Sequence, residues 1–258
     1  YALGTSSTYE LTSYFESDKY QQTAANSGNP DPTTYAIGSN LSITPFIHGL
    51  VGYWPLNEGS GSTAKDESGW GNDGTINGSP AWVSGLNGES APNFTTSTQN
   101  VNAAGDSQLN ITQAITMIGW VSFSGSVSPG WTCRQFGTTP SSYTGYNIQG
   151  GDRQVDMLFG NGSSWQEASA GSPTAPLNTW TFMAATFTAN GDGIGYYNGT
   201  EVVGPYAVTN LDPNIGSGFW INDPASGSCN EAITKVRIYN RALTAAQIQA
   251  IYNAEKPQ

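Results

Sequence analysis

The sequence predicts an all-β fold: a sandwich or barrel of short antiparallel strands, with one short C-terminal helix and an N-terminal hairpin-like extension. Three observations lead there. Short runs of alternating apolar and polar residues recur between Gly, Asn and Pro clusters, which is strand period broken by turn signals. Charged residues are only 10% of the 258, well under the usual quarter, while Gly, Ser, Thr and Asn abound, a mix that favours turns and strands. Helix period with a cap in front of it occurs only near the C-terminus.

In chain order, "TYELTSYFES" sets Tyr9, Leu11 and Phe15 against Glu10, Thr12 and Glu16, and "YAIGSNLSI" (35–43) gives a second short strand. Between them Pro30 and Pro32 exclude helix. Two strands with so few apolar residues make no core of their own, so this segment must dock on the larger body or on something outside this chain. From Gly49 onward the strands crowd together, opening with "LVGYWPL". "AITMIGWVSF" (114–123) carries Ile115, Met117, Val121 and Phe123 on one face and Ile118 and Trp120 on the other, as expected of a central strand covered on both sides. "NTWTFMAATFT" (178–188) behaves alike, with Trp180 and Phe182 opposite Met183, Ala185 and Phe187. "GIGYYNGTEVVG" predicts a hairpin, because Asn198-Gly199 suits the two positive φ angles of a type I′ turn. "ITKVRIYN" (233–240) is a late strand. In "LTAAQIQAIYNA", Thr244 and Gln247 have the spacing of a capping box, Leu243 and Ile248 that of a hydrophobic staple, and Ile248, Ile251 and Tyr252 share one face.

Charge narrows the partners. Nineteen acidic against eight basic residues give a net charge of −11, a surface that repels nucleic acid and other polyanions and leaves neutral sugars and divalent cations open. The two cysteines, Cys133 and Cys229, form no CxxC pair, and the only histidine, His48, is distant in sequence, so tetrahedral zinc is poorly supported. A disulfide suits an exported protein and would contribute roughly 4 kcal/mol in the chain-entropy picture; two separate buried thiols are the alternative. No apolar run is long enough to span a bilayer, and no signal peptide is present. The chain opens at Tyr1 without a methionine and reads as a mature product or a fragment.

"GLVGYWPLNEGSG…DESGWGNDGT", "AITMIGWV", "TWTFMAATF" and "VRIYNRALTAAQIQAIY", in that order, resemble a laminin G-like, concanavalin A-like domain of the bacterial type across roughly residues 49–254. The resemblance implies a jelly-roll sandwich of two antiparallel sheets. A second resemblance lies in "YELTSYFESDKY" and "YAIGSNLSITP", which look like the C-terminal strands of type IV pilin-like or pseudopilin proteins. Together they divide the chain into 1–48, a pilin-like strand segment and linker, and 49–258, the jelly-roll domain. They imply a pilus-associated subunit at the cell surface, with other pilin-like subunits as further partners.

Candidate site residues follow. "KDESGWGNDG" gathers acids among glycines. In the resembled family this loop holds a structural Ca²⁺, which here implies Asp66, Asn72, Asp73 and the backbone around Thr75 as ligands. That family also places an acid just before "VRIYN", where this chain has Thr234-Lys235, a loss of one negative ligand and a gain of positive charge. The alternative is a turn held by Asx-type hydrogen bonds. Trp54, Trp120 and Trp180 sit in strand patterns and belong to the core, whereas Trp70, Trp131 and Trp165 lie among Gly, Ser and Pro, either stacking on sugar rings or pinning loops. No alternating E-x-D-x-E run is present, and Asp152 and Asp156 on one strand would stand about 13 Å apart, so catalytic residues are not expected. The expected function is non-catalytic recognition of glycans or a surface partner. A structural spacer within a filament and a glycoside hydrolase are the competing classes.

Overall fold

The structure is a computed structural model that describes residues 2–3, 9–14, 34–38, 48–104, 107–125, 133–138, 143–150, 153–168, 173–212, 218–223 and 230–257. At the N-terminus β1 (Ala2–Leu3), β2 (Tyr9–Tyr14) and β3 (Thr34–Gly38) form a small antiparallel sheet, one strand more than the expected hairpin.

The body is an all-β jelly-roll sandwich of two antiparallel sheets. One sheet contains β4 (Leu50–Trp54), β7 (Ala81–Ser84), β8 (Ser90–Phe94), β10 (Ala114–Phe123), β15 (Thr181–Thr188), β16 (Gly191–Tyr197), β17 (Thr200–Val208) and β19 (Glu231–Tyr239). Its order is β17-β16-β15-β10-β19-β8-β7, with β4 also paired to β19. The second sheet contains β5 (Thr63–Ala64), β6 (Gly74–Asn77), β9 (Asn100–Ala103), β11 (Arg134–Thr138), β12 (Tyr146–Gln149), β13 (Asp156–Gly160), β14 (Trp165–Ala168) and β18 (Phe219–Ile221), ordered β14-β13-β12-β11-β18-β9-β6-β5. Among the described residues a single α-helix, α1 (Ala245–Glu255), follows β19.

Side-chain alternation builds two cores. The larger lies between the sheets and takes Ile115, Met117, Val121 and Phe123 from β10, Met183, Ala185 and Phe187 from β15, and Phe136, Ile148, Met157, Phe159 and Ile221 from the second sheet. Rings meet across it, Trp54 on Phe219 at 5.1 Å and Phe159 on Phe187 at 4.9 Å. The smaller core covers the other side of the first sheet, where Ile118, Trp120, Phe182 and Tyr239 receive Leu243, Ile248 and Ile251 of the helix segment, with Trp180 and Tyr252 packed against them. The two-faced pattern of β10 and β15 therefore reflects a strand pair buried by a sheet below and a helix above.

The local signals act as expected. Thr244 and Gln247 close a reciprocal capping box, and Leu243 and Ile248 are both buried beside it. Asn198 (φ 49°) and Gly199 (φ 77°) make the two-residue turn between β16 and β17. Lys235 has φ 52° and forms a bulge in β19, between the pairings Ile118–Arg237 and Trp120–Thr234. There the Thr234 hydroxyl donates to the Pro55 carbonyl at 2.6 Å, and Lys235 pairs with Glu89 at 2.8 Å. Among the described residues no helix is long and apolar enough to cross a membrane.

Candidate functional site

Asp66 fixes the glycine-rich loop between β5 and β6. Its Oδ1 accepts the backbone N–H groups of Tyr53 and Ser68, each at 2.9 Å, and its Oδ2 accepts the Ser68 hydroxyl and the Asn72 N–H, each at 2.8 Å. An ionised carboxylate has about four lone-pair positions, and all are used. Asn72 turns inward instead of into the loop: its Nδ2 donates to the Val51 carbonyl at 2.8 Å, while its own carbonyl accepts the Trp54 indole N–H at 2.8 Å. Asp73 accepts the Asp66 N–H and pairs with Lys65, whose ammonium holds the Asp73 carboxyl below the usual range. Thr75 is exposed on β6. Asp66 and Asn72 are thus turned to the backbone of the loop and of β4, and Asp73 to Lys65, an Asx-held turn. Replacing Asp66 with alanine is expected to cost about 2–3 kcal/mol by depriving three backbone amides of an ionised acceptor, read as a fall in denaturation midpoint. A wild-type Tm that rises on addition of calcium would instead show that the loop opens around the ion.

The tryptophans divide. Trp70 is pinned by its indole N–H to the Leu50 carbonyl at 3.0 Å, yet 53% of the residue remains exposed, so it both anchors and displays a ring. Trp165 is half-buried at the start of β14, with its ring 6.0 Å from that of exposed Tyr143. Trp131 lies outside the described residues, as do Cys229 and Asp152. Cys133 is fully buried, and its expected pairing with Cys229 falls partly outside the described residues.

The second sheet holds a further surface, opposite its core face. Paired residues there run in one row across all eight strands: Thr63, Thr75, Asn102, Trp220, Gly137, Asn147, Leu158 and Glu167. Their sequence neighbours Ile76, Val101, Phe219, Ile221, Phe136, Tyr146, Ile148, Met157 and Phe159 point into the core, so by alternation the row faces away from it. Beside it Arg134, Gln149 and Asp156 are matched in the same way, and Arg134 pairs with Asp223 at 3.3 Å. The row is recessed in the middle, where Gly137 and Asn147 are buried, and exposed towards its ends at Thr63, Thr75 and Glu167. Gly137 (φ 148°) has to be glycine, since a Cβ would meet the Tyr146 carbonyl at 2.3 Å and the Asn147 Cα at 2.5 Å. Tyr143 and Trp165 flank the β13–β14 end: Trp165 is paired with Gly160, over which the Tyr143 backbone lies so closely that a Cβ would meet it at 2.1 Å.

Two features of this face went unread in the sequence. Asn147 has neither Nδ2 nor Oδ1 in a hydrogen bond although only 1% of the residue is exposed. Gln149 donates to Glu167 at 3.1 Å while its Oε1 has no partner, and the Trp220 Nε1 is buried without an acceptor. Buried polar groups are ordinarily paired, so this cluster stands out from the rest of the face.

Stacked antiparallel sheets, one outer face sealed by a helix and the other polar, form a lectin-like sandwich. The sequence matches the Laminin_G_3 family, described as the concanavalin A-like lectin/glucanases superfamily, over residues 94–249; this is more than half of the chain, which belongs to that family. Similar solved structures include the binding domain of Paraclostridial Mosquitocidal Protein 1 (14% identity, TM-score 0.67), covering 80% of this chain and 52% of that one. The binding domain of Botulinum neurotoxin serotype G is similar at 13% identity and TM-score 0.64, over 80% of this chain and 51% of that one. The binding domain of Botulinum neurotoxin DC, solved in complex with SialylT, is similar at 12% identity and TM-score 0.63, over 81% and 52%. This chain thus spans about half the length of the solved structures it matches, and the likeness is one of fold. No curated protein sequence matches it.

Proposed function

We propose that the chain is a non-catalytic recognition domain of an exported surface protein, holding a glycan or another surface partner. The observation that carries this reading is the inequality of the two outer faces. Helix α1 seals the first sheet with Ile248 and Ile251, joined by Leu243 just before its cap, whereas the second presents a polar row with an aromatic pair, Tyr143 and Trp165, at its edge. Aromatic faces stack on sugar rings while amides and carboxylates engage hydroxyls. What the toxin binding domains do through this fold extends to this chain as part of the same proposal. A broad glycan array, probed with and without chelator, tests it. Binding to a defined set of glycans, unchanged by chelator, is expected; silence on arrays and on cell surfaces alike would refute it.

The first 48 residues enter the proposal as the attachment of this domain to a pilin-like filament, other subunits being the partners there. The antiparallel β1–β2–β3 sheet supports that reading. Imaging of assembled fibres, with the sandwich labelled, is expected to place it on the outside; a sandwich enclosed in the shaft would favour a spacer.

One observation favours a second reading. Asp156 and Glu167 are diagonal neighbours on β13 and β14, on the outward face, with backbones about 7–8 Å apart. Side chains from such positions can reach the carboxyl separation used by inverting glycosidases. Incubation with any glycan that binds, followed by reducing-end analysis, decides between them. No cleavage is expected; cleavage lost in Asp156→Asn and Glu167→Gln would make the domain a hydrolase.

A further inference from the structure

Helix α1 does not cover the whole outer face of the first sheet. Beside its start an open cleft of about 420 Å³ remains between the segment Ala242–Ala245 and strands β15 to β17. We infer that this cleft binds a linear aliphatic diamine, a dication of polyamine type, lying along β16 and independent of anything held on the second sheet. Alternation builds the site. Ile194 is paired with Thr186 and Tyr196 with Ala184, and the cluster beneath the helix takes Ala184, Tyr196 and Ile194, so Asp192, Ile194 and Tyr196 share the outer face of β16. All three line the cleft. Charge sits at its two ends. Asp192 stands at one, and at the other Glu201 of β17 is matched with Tyr196. Four residues of strand separate these levels, about 13 Å. Both acids are exposed, and neither is in an ion pair among the described residues. Between the ends the lining is apolar, with half-buried Ile194 on the sheet and buried Leu243 on the side of the helix.

An acid, an apolar stretch and a second acid complement a diammonium alkane. Each ammonium donates to one carboxylate, while the methylenes leave water against Ile194 and Leu243. Hydrogen-bond reach at either end leaves roughly 7–10 Å between the two nitrogens. A monoamine satisfies one end only, and a dicarboxylate is repelled at both. No Lys, Arg or His is among the described residues that line the cleft. Burial, and then the Glu201 charge, push the Tyr196 phenol up against its hydrogen bond with Thr186, so that carboxylate acts at this end of the cleft. The N-terminus of α1 opposes a cation, but its Thr244 hydroxyl already takes the Gln247 N–H, and about half a charge stands there against two full ones. A chain with a net charge of −11 attracts any cation, so the mark of a built site is selection by length.

The test is isothermal titration of the full chain at low salt with ethylenediamine, hexamethylenediamine, dodecamethylenediamine, hexylamine and adipate. Hexamethylenediamine is expected to bind best, the shorter and longer diamines and hexylamine about threefold more weakly or worse, and adipate not at all. Asp192→Asn and Glu201→Gln are each expected to weaken hexamethylenediamine by about two- to fivefold, and the double variant to remove the preference for its length. Both acids are exposed and outside any ion pair among the described residues, so these variants are expected to keep the wild-type Tm. Glu67→Gln alters an exposed acid in the loop before β6 and serves as the control for general charge, with no change expected. Equal binding of all three diamines, an equal loss in Glu67→Gln, or binding of adipate would overturn the inference. So would a wild type that does not bind hexamethylenediamine at low salt.

Discussion

Replacing Glu255 with alanine is expected to destabilise the domain by about 3–5 kcal/mol, the penalty for stranding one partner of a buried ion pair. Glu255 ends α1, where the helix dipole disfavours an acid, so its place there is earned through tertiary contacts. Its Oε1 accepts from Arg237 Nη2 at 2.6 Å and its Oε2 accepts the Trp120 indole N–H at 2.9 Å. Arg237 rises from β19 beneath the helix, with its guanidinium 4.1 Å from the centre of the Tyr53 ring. Both charged side chains are nearly out of water, at 5% and 10% exposure, so solvent screens the pair little. Alanine at 255 takes the carboxylate from a buried guanidinium and the acceptor from a buried indole N–H at once. Trp120 also stacks on Tyr252 and meets Phe182 edge-on, so its loosening spreads through the aromatic cluster that docks the helix. Urea denaturation of Glu255→Ala against wild type reads the loss, and Arg237→Met combined with Glu255→Leu is expected to recover most of it, because neither charge then remains. A single variant as stable as wild type would show that the pair does not fasten the helix.

The sandwich was legible in the sequence because its signals are local and repeated. Alternation in 114–123 and 178–188 separates the two cores residue by residue, and the turn at Asn198-Gly199 and the cap at Thr244 need only their immediate neighbours. The calcium expectation rested on a family resemblance in one loop, and a resemblance does not say which way an oxygen points. Asp66 is the acid that loop predicts, but backbone amides from Tyr53 to Asn72 reach its oxygens first. The polar row was half legible. "YNIQ" already alternates Tyr146 and Ile148 against Asn147 and Gln149, and "FWI" sets Trp220 opposite Phe219 and Ile221. What no local pattern carries is the register that aligns residues from β9, β18, β11, β12 and β13, elements scattered from 100 to 221. The same limit hid Glu231, which reads as an ordinary strand-end acid until β19 pairs with β10 and β8.

Raising the pH from 4.5 towards 8 is expected to weaken the fold through Glu231, by roughly 5 kcal/mol at most. Glu231 is matched with Phe123 on β10 and Phe94 on β8, so it shares their inward face and is fully buried. Its one hydrogen-bond donor among the described residues is the Gln135 amide, at 3.3 Å, while Oε1 of each side chain has no partner. Arg134, next along β11, is engaged by Asp223. Burial therefore pushes the Glu231 carboxyl up to about 8, against the smaller opposing effect of Gln135. The sign follows from which form the fold prefers. A folded-state value above the unfolded one means that the native protein holds the proton more tightly, so the stabilisation is complete below pH 4.5 and is lost as pH climbs through 8. A protonated Glu231 can also donate, which an ionised one cannot. Glu231→Gln keeps the shape and removes the titration. Denaturant midpoints taken at intervals from pH 5 to 9 should show wild type and variant close together at the acid end and the variant several kcal/mol more stable at the alkaline end. Taking the difference between the two proteins cancels the titration of every other carboxylate and the growing self-repulsion of a chain with a net charge of −11. Two stability curves that stay parallel across that range would mean that Glu231 reaches water in the native state, and that the edge of the core between β11 and β19 is open rather than sealed.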